Sequence, residues 1–344
     1  MKRVMAFGEI LLRLKPQNHE RFFQSKDMEC TFGGSEANVV AALSGFGQPG
    51  GFVTAVPDNA IGSTVISELR KYNVDTSFII KTNGRLGIYF LETGAGQRPS
   101  NVIYDREGSC IAQTDNSVYD WKHAFEDAGW FHISGITPAL SETAYKAVMA
   151  SLKAAKEAGL TVSLDINLRR KLWKYGRTAE DVIKEMMPYV DILISNEEHI
   201  RLCLGISVPG YDTSTEGLPD EYFEKLSEKV KQAYPGLSAV TLTRRRTYTS
   251  DSNDFSASLY DAKNMFCISR TYHIENIVDR IGGGDAFSAG LIYGLLHYSE
   301  SKDALEFAAA TACLKHTIPG DIALLSKEEV EQLVQSSNSS RFLR

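Results

Sequence analysis

Cysteine is scarce and scattered. The five residues Cys30, Cys110, Cys203, Cys267 and Cys313 are odd in number, far apart and form no C-x-x-C pair. That excludes a disulfide framework or a structural zinc site and points to reduced, buried thiols. No apolar run is long enough to cross a bilayer. Gly8-Glu9 interrupts the N-terminal stretch too early for a signal-peptide core, so a cytoplasmic location is expected. Positive charge is in deficit too: 37 Lys and Arg against 43 Asp and Glu give a formal charge of -6. The broad cationic footprint of a nucleic-acid or membrane-surface protein is therefore missing. Any anionic ligand has to be met by local arginines. There is no G-x-x-x-x-G-K-S/T run, which excludes a P-loop, and there are no internal repeats or heptads.

What is present is an ordinary globular composition, 43% hydrophobic and 23% charged over 344 residues, enough to bury a large core. The stretch that carries most information is Ile277-Val-Asp-Arg-Ile-Gly-Gly-Gly-Asp-Ala-Phe-Ser-Ala-Gly-Leu291. Gly282, Gly283 and Gly284 run into an apolar helical pattern, and the first turn of a helix offers backbone N–H groups with no internal partner. Such a turn suits a phosphate. Asp285, in that first turn, stands where it could take the proton of a hydroxyl attacking a phosphoryl group, or could simply cap the helix.

In chain order, Val4 to Phe7 reads as a strand that bends at Gly8-Glu9 and continues through Ile10 to Leu14. Gly33-Gly34 then leads into a small-residue helix from Ser35 to Leu43, either a ligand approach or close packing. Gly45 to Gly50 matches G-x-G-x-x-G but lies between a helix and the strand-like Gly51 to Val56, the wrong order for a dinucleotide fingerprint. A helix over 61–72, a strand over 76–81, and a hairpin of 87–92 with 101–106 follow. Alternation puts Tyr89 with Leu91 on one face of that hairpin, and Tyr104 with Arg106 on one face of its second strand.

From Trp130 strand and helix alternate: strands at 130–133, 161–166 and 191–194, helices at 141–157 and 179–187. This implies right-handed βαβ units on a parallel sheet. Gly135, Asn167, Arg169 and Asn196-Glu197 fall beyond the strands' carboxyl ends, where such sheets bind ligands. Residues 208–222 look like a polar surface insertion between helices. The strand ending at Thr243 is followed by Arg244-Arg-Arg246, read as a solvated loop or a phosphate contact. A second hairpin joins 256–260 to 265–269, helices cover 286–297 and 304–315, His316 to Asp321 is a turn, and 336–341 is a loose tail.

Gly33-Gly34 with Ala37-Asn38, Asn196-Glu197, and Gly282-Gly-Gly-Asp-Ala-Phe287 together make the chain similar, end to end, to the ribokinase-like (PfkB-type) sugar kinases. Within that family it most resembles the branch acting on 2-keto-3-deoxygluconate, through Tyr89, Tyr104-Asp-Arg106, Ser134 to Leu140, Ser163 to Arg169, Leu172-Trp173, Asp279 to Gly282 and Leu314 to Asp321. The resemblance implies a single α/β domain over 1–344, a three-layer Rossmann-like core with a discontinuous β-sheet lid from about 9–32 and 86–113, and pairing of chains through that lid. It implies ATP and Mg2+ as nucleotide and metal, a monovalent cation near Asp279 left open, and phosphorylation of the sugar acid's 6-hydroxyl to 2-keto-3-deoxy-6-phosphogluconate. By the same resemblance Asp285 is the base and Gly282, Gly283 and Gly284 form the anion hole. Gly34, Asn38, Tyr89, Tyr104, Arg106 and Arg169 hold the sugar acid, and Asn167, Asn196, Thr243, Gly282 and Gly284 the nucleotide. The middle glycine, the arginine triplet and the insertion near 211–219 depart from the family pattern. A fructokinase or ribokinase and a non-catalytic sugar-binding relative are the neighbouring readings.

Overall fold

Successive residues of the first strand enter different cores. In β1 (Arg3–Phe7), Met5 and Phe7 join one apolar cluster while Val4 and Ala6 join clusters across the sheet. A strand buried on both faces reads as a continuous apolar run, as parallel strands covered by helices do. The computed structural model describes residues 1–211 and 217–336.

The further strands are β2 (Leu11–Pro16), β3 (Met28–Gly33), β4 (Gly50–Pro57), β5 (Ile79–Thr82), β6 (Ile88–Glu92), β7 (Asn101–Asp105), β8 (Ala128–Ser134), β9 (Thr161–Asp165), β10 (Ile192–Ser195), β11 (Ala239–Thr249), β12 (Ser252–Tyr260), β13 (Phe266–Ile268) and β14 (Tyr272–Ile274). The helices are α1 (Ser35–Gly45), α2 (Ala60–Lys71), α3 (Cys110–Gln113), α4 (Trp121–Phe125), α5 (Glu142–Glu157), α6 (Ala179–Met186), α7 (Glu197–Leu204), α8 (Asp220–Ala233), α9 (Gly283–His297), α10 (Ser301–Lys315) and α11 (Lys327–Gln335).

The main sheet has ten strands in the order β13-β12-β11-β10-β9-β8-β1-β4-β5, with β14 attached to β12. Pairing is parallel from β11 through to β5, and β12 pairs antiparallel with β11, β13 and β14. Helices α4 to α8 pack on one face and α1, α9, α10 and α11 on the other. The strand order turns around at β1, with β4 on one side and β8 on the other, which opens a crevice beyond the carboxyl ends of those strands. A separate four-stranded sheet, β3-β2-β6-β7, stands over that crevice. Its inner face, Leu11, Tyr89, Leu91, Val102 and Tyr104, packs on Ile281 just ahead of the glycine run.

Several sequence expectations are met closely. Residues 45–50 join α1 to β4 as a helix-to-strand turn, the 87–106 hairpin pairs Tyr89 with Tyr104, and the second hairpin pairs Tyr260 with Phe266. Others need correction. The strand expected at 76–81 is β5, because Asp75 accepts from the Ser77 N–H at 2.9 Å and Thr76 from the Ile79 N–H at 3.2 Å, a turn that delays strand entry. The arginine triplet is not a loop: β11 carries it on to Thr249 against β12. The segment read as an insertion ends in the first turn of α8, whose Tyr222, Phe223, Leu226 and Val230 are buried at helical spacing. Residues 212–216 of that segment and 337–341 of the tail lie outside the described residues. All five cysteines are free thiols, but only Cys110 and Cys203 are buried as expected, Cys30 being exposed and Cys267 and Cys313 half-buried. No helix among the described residues is long and apolar enough to cross a membrane.

Candidate active site

A cleft of about 550 Å³ opens where β1 parts β4 from β8. Its walls come from the carboxyl ends of β8, β9 and β10, the start of α1, the far half of β11, the glycine run and the inner face of the small sheet. The sequence-derived candidates Gly34, Asn38, Tyr89, Tyr104, Arg106, Asn167, Arg169, Asn196, Thr243, Gly282, Gly283, Gly284 and Asp285 all line it. Gly135 does not. It packs under the Ile166 carbonyl, 2.3 Å from where a Cβ would sit.

Gly282 starts α9 at φ +81°, and a Cβ there would come within 1.8 Å of the Asp321 carbonyl oxygen. Only glycine is tolerated at such a position. No side chain caps the helix, so its first-turn N–H groups remain available to an anion. Asp285 is therefore not a cap. Its Oδ1 accepts from Ser35 Oγ at 2.8 Å and its Oδ2 from Asn38 Nδ2 at 2.7 Å. Asn38 Oδ1 in turn accepts from the Gly34 N–H at 3.2 Å. Gly34 belongs at the head of α1 because a Cβ would meet the Glu9 carbonyl oxygen at 2.0 Å. Asn167, at φ 38°, donates from Nδ2 to Ser35 Oγ at 3.1 Å, linking the end of β9 to the same carboxylate.

Asp285 is only 9% exposed. Burial raises its carboxyl above the ordinary range, and the hydrogen bonds from Asn38 and Ser35 work against that rise. Two more carboxyls stand nearby, Glu36 buried and Asp165 half-buried. Asp165 is pushed up to about 7 by burial and then by the Asp285 charge. Glu36 is raised by burial although it accepts from Ser134 Oγ at 2.6 Å and Thr137 Oγ1 at 2.8 Å.

Across the cleft the charge changes sign. Arg169 makes no ion pair among the described residues and donates only to the Leu168 carbonyl at 3.3 Å. Arg106 is committed on one side, its Nε donating to Glu9 Oε2 at 2.5 Å. Arg280 is pinned to the β11–β12 turn through the carbonyls of Ser250 and Thr249 at 2.7 and 2.6 Å. At the far end Asn196 caps α7 by accepting the His199 N–H at 2.8 Å, and Thr243 Oγ1 donates to the Ser195 carbonyl at 3.2 Å.

A buried network ties the small sheet to this floor. Arg13 donates to Asp321 at 2.6 Å and to Asp279 at 2.5 Å, and Tyr89 Oη donates to Asp321 at 2.6 Å. Asp279 also accepts the N–H groups of Ile281 at 3.0 Å and Gly320 at 3.1 Å. Among the described residues no three His, Cys, Asp or Glu side chains converge to hold a metal ion. Sequence reasoning passed over Ser35, Glu36, Asp165 and Arg13, and it weighed Arg245 only as one of three arginines in a solvated loop or a phosphate contact. The signal for the first two was polar residues beside Asn38 at the head of an otherwise apolar helix, and for Arg245 it was strand alternation carried on past Thr243.

The arrangement combines a buried carboxylate, uncapped helix N–H groups and cationic walls, the set that transfer of a phosphoryl group to a hydroxyl needs. The whole chain has relatives. Over 338 residues it is 32% identical to a 2-dehydro-3-deoxygalactonokinase of Haloferax volcanii, 98% of each chain being covered. It is 25% identical to a 2-dehydro-3-deoxygluconokinase of Bacillus subtilis over 94% of this chain and 93% of the other. Among solved structures, a 2-dehydro-3-deoxygluconokinase from Thermotoga maritima is 43% identical with a TM-score of 0.92, covering 98% of this chain and all 100% of that one. A fructokinase from Xylella fastidiosa, 18% identical at a TM-score of 0.76 over 97% of this chain and 98% of its own, shares the fold. The model of the pfkB family carbohydrate kinases matches residues 1–328, and the chain belongs to that family.

Proposed function

We infer that this carbohydrate kinase transfers the γ-phosphoryl group of ATP to the 6-hydroxyl of 2-keto-3-deoxygluconate. The observation that carries the reading is the Asp285 carboxylate, held by Ser35 and Asn38 beside the uncapped start of α9. Asp285 accepts the hydroxyl proton, the alkoxide oxygen forms its bond to the γ-phosphorus, and the bond from that phosphorus to the β–γ bridging oxygen breaks, releasing ADP. Negative charge on the transferring oxygens meets the N–H groups around Gly282, Gly283 and Gly284. Gly34, Asn38, Tyr89, Tyr104, Arg106 and Arg169 would hold the sugar acid, with Arg169, free of any carboxylate partner among the described residues, facing its carboxylate. Asn167, Asn196 and Thr243 lie on the nucleotide side. Magnesium would be held chiefly by the phosphates it bridges and by water, in keeping with its usual habit. At Asp279 we place a fixed cation, Arg13, instead of an exchangeable monovalent one, since that carboxylate is already filled by a guanidinium and two N–H groups. We place the reaction in the cytoplasm, where ATP and free thiols coexist, and read the small sheet as both lid and dimer interface.

The names of the relatives favour two acceptors that differ at one carbon, the gluconate and galactonate forms of the keto-deoxy acid. The test is ADP release with each of these, with fructose and with ribose. The gluconate form should give the highest kcat/KM, and no turnover of either keto-deoxy acid would overturn the assignment. In the same assay Asp285→Asn, which keeps the shape of the side chain, should cost about 10²- to 10⁴-fold in kcat with sugar-acid affinity largely kept. Turnover at the parental rate would remove Asp285 as the base.

A further inference from the structure

Arg245 is a cation of the cleft that the family reading leaves without a task. The arginine triplet divides between the faces of β11 because strand residues alternate. Arg244 goes to the α8 side, where it pairs with Asp220 at 2.6 Å and lies over the Phe223 ring at 4.3 Å. Arg245 goes to the other side. It stands opposite Phe255 on β12, whose ring packs 5.9 Å from Phe287 of α9. Its side chain thus emerges on the face of the catalytic helix, where it lines the cleft and stays open to the cleft's solvent.

Two features set Arg245 apart from an ordinary surface arginine. Among the described residues it has neither an ion pair nor a hydrogen bond, while the neighbouring cleft arginines 106 and 280 are tied to Glu9 and to the β11–β12 turn. Its surroundings are also cationic. The cleft walls beside it, and after them Arg280 and Arg169, press its guanidinium downward, and because it stays open to solvent it is fully charged at neutral pH. The Arg245 charge reaches His316 as well, the side chain that lies 2.9 Å from where a Cβ on Gly283 would be. A like-charged group of arginines next to an uncapped helix start is costly unless a multiply charged anion neutralises it.

We propose that Arg245 binds the β- and γ-phosphates of the nucleotide and steadies the transferring group against the Gly282–Gly284 turn. This rests on the kinase reading above and adds a phosphate-binding residue from a strand that sequence reasoning had taken for a loop. The guanidinium is suited to the role because it offers paired donors to phosphate oxygens and stays charged.

The test compares the parental enzyme with Arg245→Gln and Arg245→Lys. Calorimetric binding of ATP, ADP and AMP is measured without sugar, and steady-state kinetics are run with each substrate varied in turn. For Arg245→Gln, ATP affinity should fall about 10- to 100-fold, the loss expected for a charge-assisted contact. ADP affinity should fall less, AMP affinity should stay put, the KM for the sugar acid should not change, and Arg245→Lys should recover part of the ATP affinity. The Gln variant should melt no lower than the parent, because a repelled charge has been removed, and this separates lost binding from lost folding. Equal loss for ATP and AMP, an increase confined to the sugar-acid KM, or no change at all would each overturn the proposal. Failure of the acceptor assignment would show separately, as a parental enzyme that binds ATP but phosphorylates no sugar acid.

Discussion

The chemistry of a buried carboxylate is set by what touches its two oxygens. Burial pushes the Asp285 carboxyl up, and Ser35 and Asn38 hold it back by bonding to the ionised form. Only the ionised form can accept a proton, so kcat/KM should decline on the acid side with a limb above the ordinary carboxylate range. Ser35→Ala removes one of the two bonds that favour ionisation, and the limb should move to higher pH while the rate on the alkaline plateau is largely kept. The check is a kcat/KM profile of both proteins. A limb that stays in place or moves down would mean that Ser35 does not set the base. The sequence disclosed Asp285 and Asn38 because each follows a glycine turn. Ser35 was legible only as a polar neighbour on α1, and Asp165 and Glu36 could not be seen as its companions until β9 and α1 were brought together.

Elements of the two sheets meet through contacts that sequence patterns do not encode. Arg13 on β2 and its partners Asp279 and Asp321 are 266 and 308 residues apart, so no local signal joins them. Both carboxylates flank the α9–α10 pair, one ahead of α9 and the other after α10. Tyr89 on β6 shares Asp321, which makes the lid continuous with the floor of the site. Removing Arg13 leaves two buried carboxylates facing each other, and Arg13→Met should cost about 3–5 kcal/mol. Denaturant unfolding measures this. Replacing Asp279 and Asp321 by asparagine in the same variant should recover much of the loss, and a loss unchanged by that replacement would show that packing and not charge holds the lid. Strand and helix identities were more accessible. The parallel strands showed as apolar runs and the hairpin as alternation, whereas β11 was cut short because three arginines hid its period of two. The start of helix α8 was placed too late although Tyr222, Phe223, Leu226 and Val230 follow a helical period, because the polar stretch before it drew its first residues into a loop.

At the scale of the whole molecule, the main sheet supplies the crevice and the small sheet has two faces with different tasks. Its inner face lies over the cleft. Its outer face carries Leu14, Phe90 and Ile103, with Ile103 49% exposed, Phe22 edge-on to Phe90 at 6.3 Å, and Phe23 on the neighbouring loop 82% exposed. This sheet is mixed, β2 pairing parallel with β6 and antiparallel with β3. A sheet with one face on solvent normally shows polar residues there, and an apolar outer face is a candidate interaction surface. The occupant we propose is a second copy of the chain, since a two-fold pair would use this one apolar patch on both molecules. Sedimentation equilibrium at micromolar concentration should therefore give twice the chain mass. Phe90→Glu with Ile103→Glu should give a folded single chain, because both side chains point away from Tyr89 and Tyr104 and their loss leaves the cleft intact. A parental protein that sediments as one chain at tens of micromolar would leave the apolar outer face without its partner and reduce the small sheet to a lid.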